Sequence, residues 1–328
     1  MPLSIKLADA LTPSRSQMWD LCLQLGVTHA VSSIPEGPEY PSPWDFDHLF
    51  RLQQRFADAG ITLSVIESAP AEIQEPIKLG LPDRDRHIEQ FCQLLSNMGR
   101  LGIPVICHNW MAGFTWQRTS FAIEARGGAL VTGYDHQRLA TAPLSPWGEI
   151  SESQLWENMH YFLERVVPVA EESGVRLAVH PDDPPISPIR GVSRILTSPE
   201  ALKRVIDLVP SPNNGVTLCQ GTVSSMGVDV VKAIHLLGST GRVFFVHFRD
   251  VRGGPESFVE TFQDDGQTDM AAAMRAYADV GFDGYLRVDH VPTMAGEDNQ
   301  APGYETLGRL YALGYVRGLV HAIEGDQR

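Results

Sequence analysis

The chain has 328 residues, 43% of them hydrophobic and 20% charged, with a formal net charge of −14. That acidity argues against nucleic acid and anionic membrane surfaces as partners, and no apolar stretch is long enough to span a bilayer. Cys22, Cys92, Cys107 and Cys219 are too sparse for a disulfide framework, and the N-terminus shows no basic stretch followed by a long apolar run, so reduced thiols in a cytoplasm are expected.

Strand-like and helix-like segments alternate from end to end. Short apolar runs predict strands at residues 5–8, 30–33, 62–67, 105–109, 177–180, 216–219, 244–248 and 285–289. Most lack polar alternation, as strands covered on both faces do. Helical periodicity predicts helices at 15–25, 46–59, 83–98, 152–172, 199–209, 228–237, 269–280 and 304–323. Gly26, Gly60 and Gly99 stand where the first three should stop, and Ser198-Pro199 and Thr268-Asp269 are helix starts. Eight strand–helix units with no dividing linker predict one (β/α)8 TIM barrel over residues 1–328. An open doubly wound sheet is the alternative, but no Gly-x-Gly-x-x-Gly follows the first strand. Residues 112–150, with Gly127-Gly128, Gly133, Pro143 and Pro146, break the alternation. This irregular insertion after strand four is expected to lie over the barrel mouth as a lid; a contact within a homo-oligomer is the equal alternative.

Four predicted strands end in a group able to bind a metal. Arg-Leu-Ala-Val-His closes on His180, Gly-Val-Thr-Leu-Cys on Cys219, Val-Phe-Phe-Val-His on His247 and Tyr-Leu-Arg-Val-Asp on Asp289. Strand C-termini face the catalytic mouth of a parallel barrel, so imidazole, thiolate and carboxylate would converge there although far apart in sequence. Any one of them alone would read as a packed structural residue. All four at one topological position point to a shared metal, and hence to an enzyme.

His290 follows Asp289 where the strand ends, and could lean over the mouth as an acid or base; a hydrogen bond holding Asp289 is the plainer alternative. Tyr304 begins the last helix on the same side, where a phenol can handle a proton, and from spacing alone a packing role competes. Further mouth-side candidates are Glu67, Asn109, Arg118, Asp182, Asp183, Arg249 and Asp250. Prolines stiffen the loop His180-Pro181-Asp182-Asp183-Pro184-Pro185, and Arg118 and Arg249 could hold a substrate carboxylate bidentately. His108 is discounted because its neighbour Asn109 should take the inner face. His29, His48, His87, His160, His235 and His321 are assigned to helices or helix ends, and Cys22 and Cys92 to helix cores.

With these residues in hand, the chain resembles the mannonate dehydratase family. The resemblance runs across nearly the whole length, through Ser64-Val65-Ile66-Glu67-Ser68, Ile77-Lys78-Leu79-Gly80, Asn109-Trp110-Met111 and Phe114-Thr115-Trp116-Gln117-Arg118-Thr119. It continues in the His180–Pro185 block, Asn214-Gly215-Val216-Thr217-Leu218-Cys219-Gln220-Gly221, Val246-His247-Phe248-Arg249-Asp250-Val251 and Arg287-Val288-Asp289-His290 with Gly303-Tyr304. The resemblance implies a (β/α)8 barrel binding a divalent metal, generally manganese, through His180, Cys219, His247 and Asp289. His290 and Tyr304 would act on a small sugar acid, removing water from D-mannonate to give 2-keto-3-deoxy-D-gluconate in hexuronate catabolism. Val288 and Val291 stand where the family usually has proline and glycine, changes that flank the ligand set without touching it.

The chemistry this implies is loss of a weakly acidic C2 proton and a poor leaving group at C3. Tyr304 as base and His290 as acid is the favoured order, with Asn109, Arg118, Asp182, Arg249 and Glu67 binding substrate. A thiolate ligand suits zinc or iron better than manganese, so manganese rests on the resemblance and not on ligand softness. Competing readings are a sugar isomerase or epimerase, which would favour carboxylate ligands over Cys219, and a non-catalytic sugar-acid sensor.

Overall fold

The computed structural model describes residues 5–326. Its strands are β1 (Lys6–Ala10), β2 (His29–Ser32), β3 (Thr62–Glu67), β4 (Val105–Asn109), β5 (Ser120–Glu124), β6 (Leu130–Asp135), β7 (Arg176–His180), β8 (Asn214–Cys219), β9 (Val243–Phe248), β10 (Val251–Gly254), β11 (Ser257–Glu260) and β12 (Tyr285–Val288). Its α-helices are α1 (Gln17–Gln24), α2 (Phe46–Asp58), α3 (Ala71–Leu79), α4 (Arg84–Leu101), α5 (Glu152–Ser173), α6 (Pro199–Leu208), α7 (Gln220–Ser225), α8 (Val230–Gly238), α9 (Met270–Asp279) and α10 (Thr306–Asp326).

The eight predicted strands close a parallel barrel in the order β1-β12-β9-β8-β7-β4-β3-β2. Their apolar runs arise because both faces are covered. Leu63, Ile66, Ile106, Leu177, Val179 and Leu218 pack outward into the main core beneath the helices. Ala8, Val31, Val65, Val105, Cys107, Ala178 and Phe245 fill the barrel interior. Continuing that alternation toward the C-terminal ends puts Glu67, Asn109, His180, Cys219, His247 and Arg287 on the inner face.

Local chemistry sets most helix limits. Ser151 forms a capping box with Gln154 at the start of α5, and Ser198 and Asp269 cap α6 and α9 through their side chains. Gly99 does not end its helix as expected: α4 runs on to Leu101 and stops at left-handed Gly102. The role of Gly99 is close packing, because a Cβ there would strike the Ser173 carbonyl at the end of α5. Helices α3 and α7 were not anticipated. Pro76 lies inside α3 and obscures its pattern, and α7 has only six residues. His29 begins β2 instead of belonging to a helix, and its Nδ1 meets Ser64 Oγ at 2.8 Å.

The insertion at 112–150 is not irregular throughout. It holds β5 and β6, which join β11 and β10 in one antiparallel sheet of order β10-β11-β6-β5, with β6 paired to β11. No local signal revealed this sheet. Strand β5 is a largely exposed edge with a register shift between Ser120 and Ile123, and β11, the other partner of β6, lies more than a hundred residues away.

Phe91 of α4 is fully buried, its ring edge-on to Phe162 of α5 at 5.0 Å and near His108 of β4 at 6.4 Å. Phe91→Ala should lower unfolding free energy by about 3–5 kcal/mol. Urea denaturation checks this, and a loss below about 1 kcal/mol would show that this layer does not carry the core.

Candidate active site

Strand register assembles the centre. Cys219 is the Cα partner of His247, and His247 of Arg287, so three chemically active residues share one level across β8, β9 and β12. Asn109 and His180 are partners on β4 and β7, as are Glu67 and Cys107 on β3 and β4. The ligand atoms of His180, Cys219 and His247 all lie within 4.8 Å of one another, and Glu67, Cys107 and His247 form a second such group through the shared imidazole. Asp289 belongs to neither trio. It stands beside them, Oδ2 3.5 Å from His247 Nδ1, and accepts hydrogen bonds from Arg249 Nε at 2.9 Å, Arg287 Nη1 at 2.8 Å and Tyr304 Oη at 3.1 Å.

The donors suit a cation. His180 Nδ1 meets the Pro181 carbonyl at 2.6 Å, which fixes the ring and leaves Nε2 for the centre. Both nitrogens of His247 are buried with no hydrogen-bond partner; Glu67 Oε1 approaches one at 3.2 Å and Asp289 the other, but neither is aligned. Unpartnered buried nitrogens between a thiol and two carboxylates are what a metal would satisfy. Burial alone would push the Cys219 thiol up. Arg249, then His180, override that and hold it well below its ordinary value, which favours the thiolate. The other thiols go the opposite way. Burial, then Asp9, pushes Cys22 up; burial, then Glu89, takes Cys92 to about 11; burial, then Glu67, raises Cys107.

The expectation that Arg118 and Arg249 grip a substrate carboxylate does not fit this geometry. Both guanidinium groups are buried and occupied by the protein's own acids. Arg118 donates to both oxygens of Asp183, at 2.7 and 2.9 Å, and to Glu260 Oε1 at 2.5 Å. Arg249 donates to Glu260 at 2.9 Å, Asp183 at 2.8 Å and Asp289. Asp182 is likewise turned away: it accepts from the Ile195 and Leu196 amides and pairs with Arg194, so it fastens its own loop. Asp250 fastens another through Thr268.

A cavity of about 580 Å³ opens over His180 and His247, lined among others by Glu67, Asn109, Asp183, Arg287, His290 and Tyr304. Asn109 is oriented by Lys78 Nζ at 2.9 Å. His290 has a left-handed backbone, φ 34°, so that it and Asp289 both face the mouth despite being adjacent. Its Nδ1 meets Glu260 Oε1 at 2.9 Å, while its Nε2 lies 3.8 Å from Asp289 Oδ1, too far for the hydrogen bond considered as its plainer role. An antiparallel bridge between Val291 and Gly303 sets Tyr304 edge-on to the His290 ring, 5.4 Å away. Burial, then the Asp289 charge, pushes the Tyr304 phenol up. Thr115 and Trp116 of the 112–150 segment also line the cavity.

Sequence reasoning passed over Arg287, Cys107, Glu260 and Arg309. Arg287 and Cys107 were findable, because each sits two residues before a chosen inward residue on the same strand. Glu260 of β11 carried no such signal. His108 was rightly discounted: it faces the helix layer between Phe91 and Phe162.

The D-mannonate dehydratase (UxuA) family model matches residues 20–145 and 139–328. The mannonate dehydratase of Thermotoga maritima is 35% identical over 91% of this chain and 91% of its own length. Mannonate dehydratase 2 of Halalkalibacterium halodurans is also 35% identical, over 91% of this chain and 92% of its own. The crystal structure of the mannonate dehydratase from Streptococcus suis serotype 2 superposes with a TM-score of 0.90 at 32% identity, over 98% of this chain and 93% of that one. A D-psicose 3-epimerase from Clostridium cellulolyticum shares the fold alone, at 13% identity, a TM-score of 0.65 and coverage of 97% and 99%.

The depressed Cys219 thiol makes the sulfur charged above its lowered pKa and protonated only as pH falls through it. In metal-stripped protein at neutral pH, Cys219→Ala should remove the ultraviolet thiolate band, and Cys107→Ala should leave it. An unchanged band in Cys219→Ala would refute the assignment.

Proposed function

The chain belongs to the D-mannonate dehydratase family of hydro-lyases, and from that premise we propose that it removes water from D-mannonate, giving 2-keto-3-deoxy-D-gluconate, at a divalent cation held by His180, Cys219, His247 and Asp289. The observation that carries this reading is the convergence of His180, Cys219 and His247 at three barrel-strand ends, beside Asp289 and under a cavity that also presents His290 and Tyr304. Thiolate and imidazole donors suit a transition metal better than magnesium or calcium. Manganese is our choice, on the family resemblance, with iron and zinc the metals to test against it.

A cation held by His180, Cys219, His247 and Asp289 would supply Lewis-acid polarisation of the substrate carboxylate and would offset the Asp289 charge that, after burial, raises the Tyr304 phenol. Tyr304, acting as the phenolate after its own proton has been released to solvent, takes the C2 proton; the C2 electron pair forms the double bond to C3 as the C3–O bond breaks, and a protonated His290 gives its proton to the departing hydroxyl, which leaves as water. Glu260 anchors Nδ1 of His290, which leaves Nε2 as its proton-carrying edge. Arg287 holds Glu67 through two hydrogen bonds and Asp289 through a third, fixing both carboxylates against the substrate. Asn109, steadied by Lys78, is placed to meet a hydroxyl. The 112–150 segment shields the mouth with Thr115 and Trp116, and its exposed Leu144 and Trp147 offer apolar surface for a homo-oligomer. The proposed substrate and product place the reaction in hexuronate catabolism, in the cytoplasm; no described helix is long and apolar enough to cross a membrane.

Metal-stripped enzyme should form 2-keto-3-deoxy acid from D-mannonate only after manganese is restored, and other hexonates should react more slowly. Ketose formation instead, or turnover indifferent to metal, would end the dehydratase reading. His290→Asn and Tyr304→Phe should each lower kcat by about 10²–10⁴-fold while metal analysis still finds the cation bound. Full activity in either variant would remove that residue from the mechanism.

A further inference from the structure

Two arginines line the cavity, and they differ in what they have left to give. Arg287 spends every nitrogen on Glu67, Asp289 and the Val288 carbonyl. Arg309 of α10 spends one. Its Nη2 donates to Asp9 Oδ2 at 2.6 Å and to the Ala10 carbonyl, while Nε and Nη1 have no hydrogen-bond partner among the described residues. Asp9 is fully buried, so the tie is firm and the remaining donors are held in place.

The position of this guanidinium follows from the barrel. Asp9 and Ala10 end β1, which stands four strands from β7 by either route round the ring. Arg309 therefore faces His180 from across the mouth, although Asp289 follows β12, the immediate neighbour of β1. Thr12 and Ser33 line the same side. With Nη2 occupied, neither parallel pair of guanidinium N–H groups is free to grip a carboxylate. Single, separately directed donors remain, which suit hydroxyls.

We propose that Arg309 is a specificity residue that hydrogen-bonds the distal hydroxyls of the sugar-acid tail. The inference rests on the dehydratase reading, in which the carboxylate end sits at the ligand cluster and the tail must point away from it. Arg309 would thus measure chain length, favouring a six-carbon acid over the five-carbon acid of the same configuration at C2 to C4.

The test uses manganese-loaded enzyme carrying His290→Asn, so that ligands bind without being consumed, and calorimetry with D-mannonate and with D-lyxonate, which lacks the terminal carbon. With Arg309 present, D-mannonate should bind about 30-fold more tightly than D-lyxonate. Arg309→Met should abolish that preference by weakening D-mannonate alone. Arg309→Lys, which keeps a charge against Asp9 but only one nitrogen, should do the same and guards against a folding defect in the methionine variant. Equal weakening of both acids, or a preference that survives both substitutions, would overturn the proposal. Failure of the manganese-loaded native enzyme to bind or dehydrate D-mannonate would instead overturn the reading beneath it.

Discussion

Charge balance in a buried space governs the mouth of this barrel. Glu67, Asp183, Glu260, Asp289 and the Cys219 thiolate are held within a lattice whose guanidinium partners are Arg118, Arg249 and Arg287. Taking this many charges out of water is costly unless each is matched. The arginines hold the acids apart and ionised.

That lattice accounts for packing nearby. Gly221, two residues past Cys219, lies so close to Arg249 that an added Cβ would reach the arginine Cγ at 2.8 Å. Gly266 abuts the Asp250 carboxylate in the same way, with Asp250 Cβ at 2.5 Å. These glycines admit a large guanidinium and a loop-fastening carboxylate where any side chain would displace them. The small sheet contributes through Glu260, which reaches Arg118, Arg249 and His290 at once. Chemistry on the barrel is therefore steadied by an element outside it.

The sequence made the barrel strands legible because each is a short apolar run, and made the cluster of His180, Cys219 and His247 legible because those runs end in unusual residues. Inner-face parity would have extended the reading to Arg287 and Cys107. Asp182 and Asp183 show where such reasoning stops: adjacent, alike and in one stiff loop, they face opposite ways, and only the Ile195 and Leu196 amides decide which is structural. Arg118 and Arg249 were rightly placed near the mouth and wrongly given free hands, since the acids that occupy them come from β11 and from the loop after β7. Pairings between distant, half-exposed strands leave no periodic trace.

The seam of the ring joins the two ends of the polypeptide. Strand β1 pairs with β12 through Lys6 and Tyr285, Leu7 and Leu286, and Ala8 and Arg287, while Arg317 of α10 bonds back to the Leu25 carbonyl. Strand β12 must therefore have left the ribosome before the cylinder can shut. Until then the early strands wait with an open edge, and sequestering that edge is a task for the nascent chain's own helices or for chaperones.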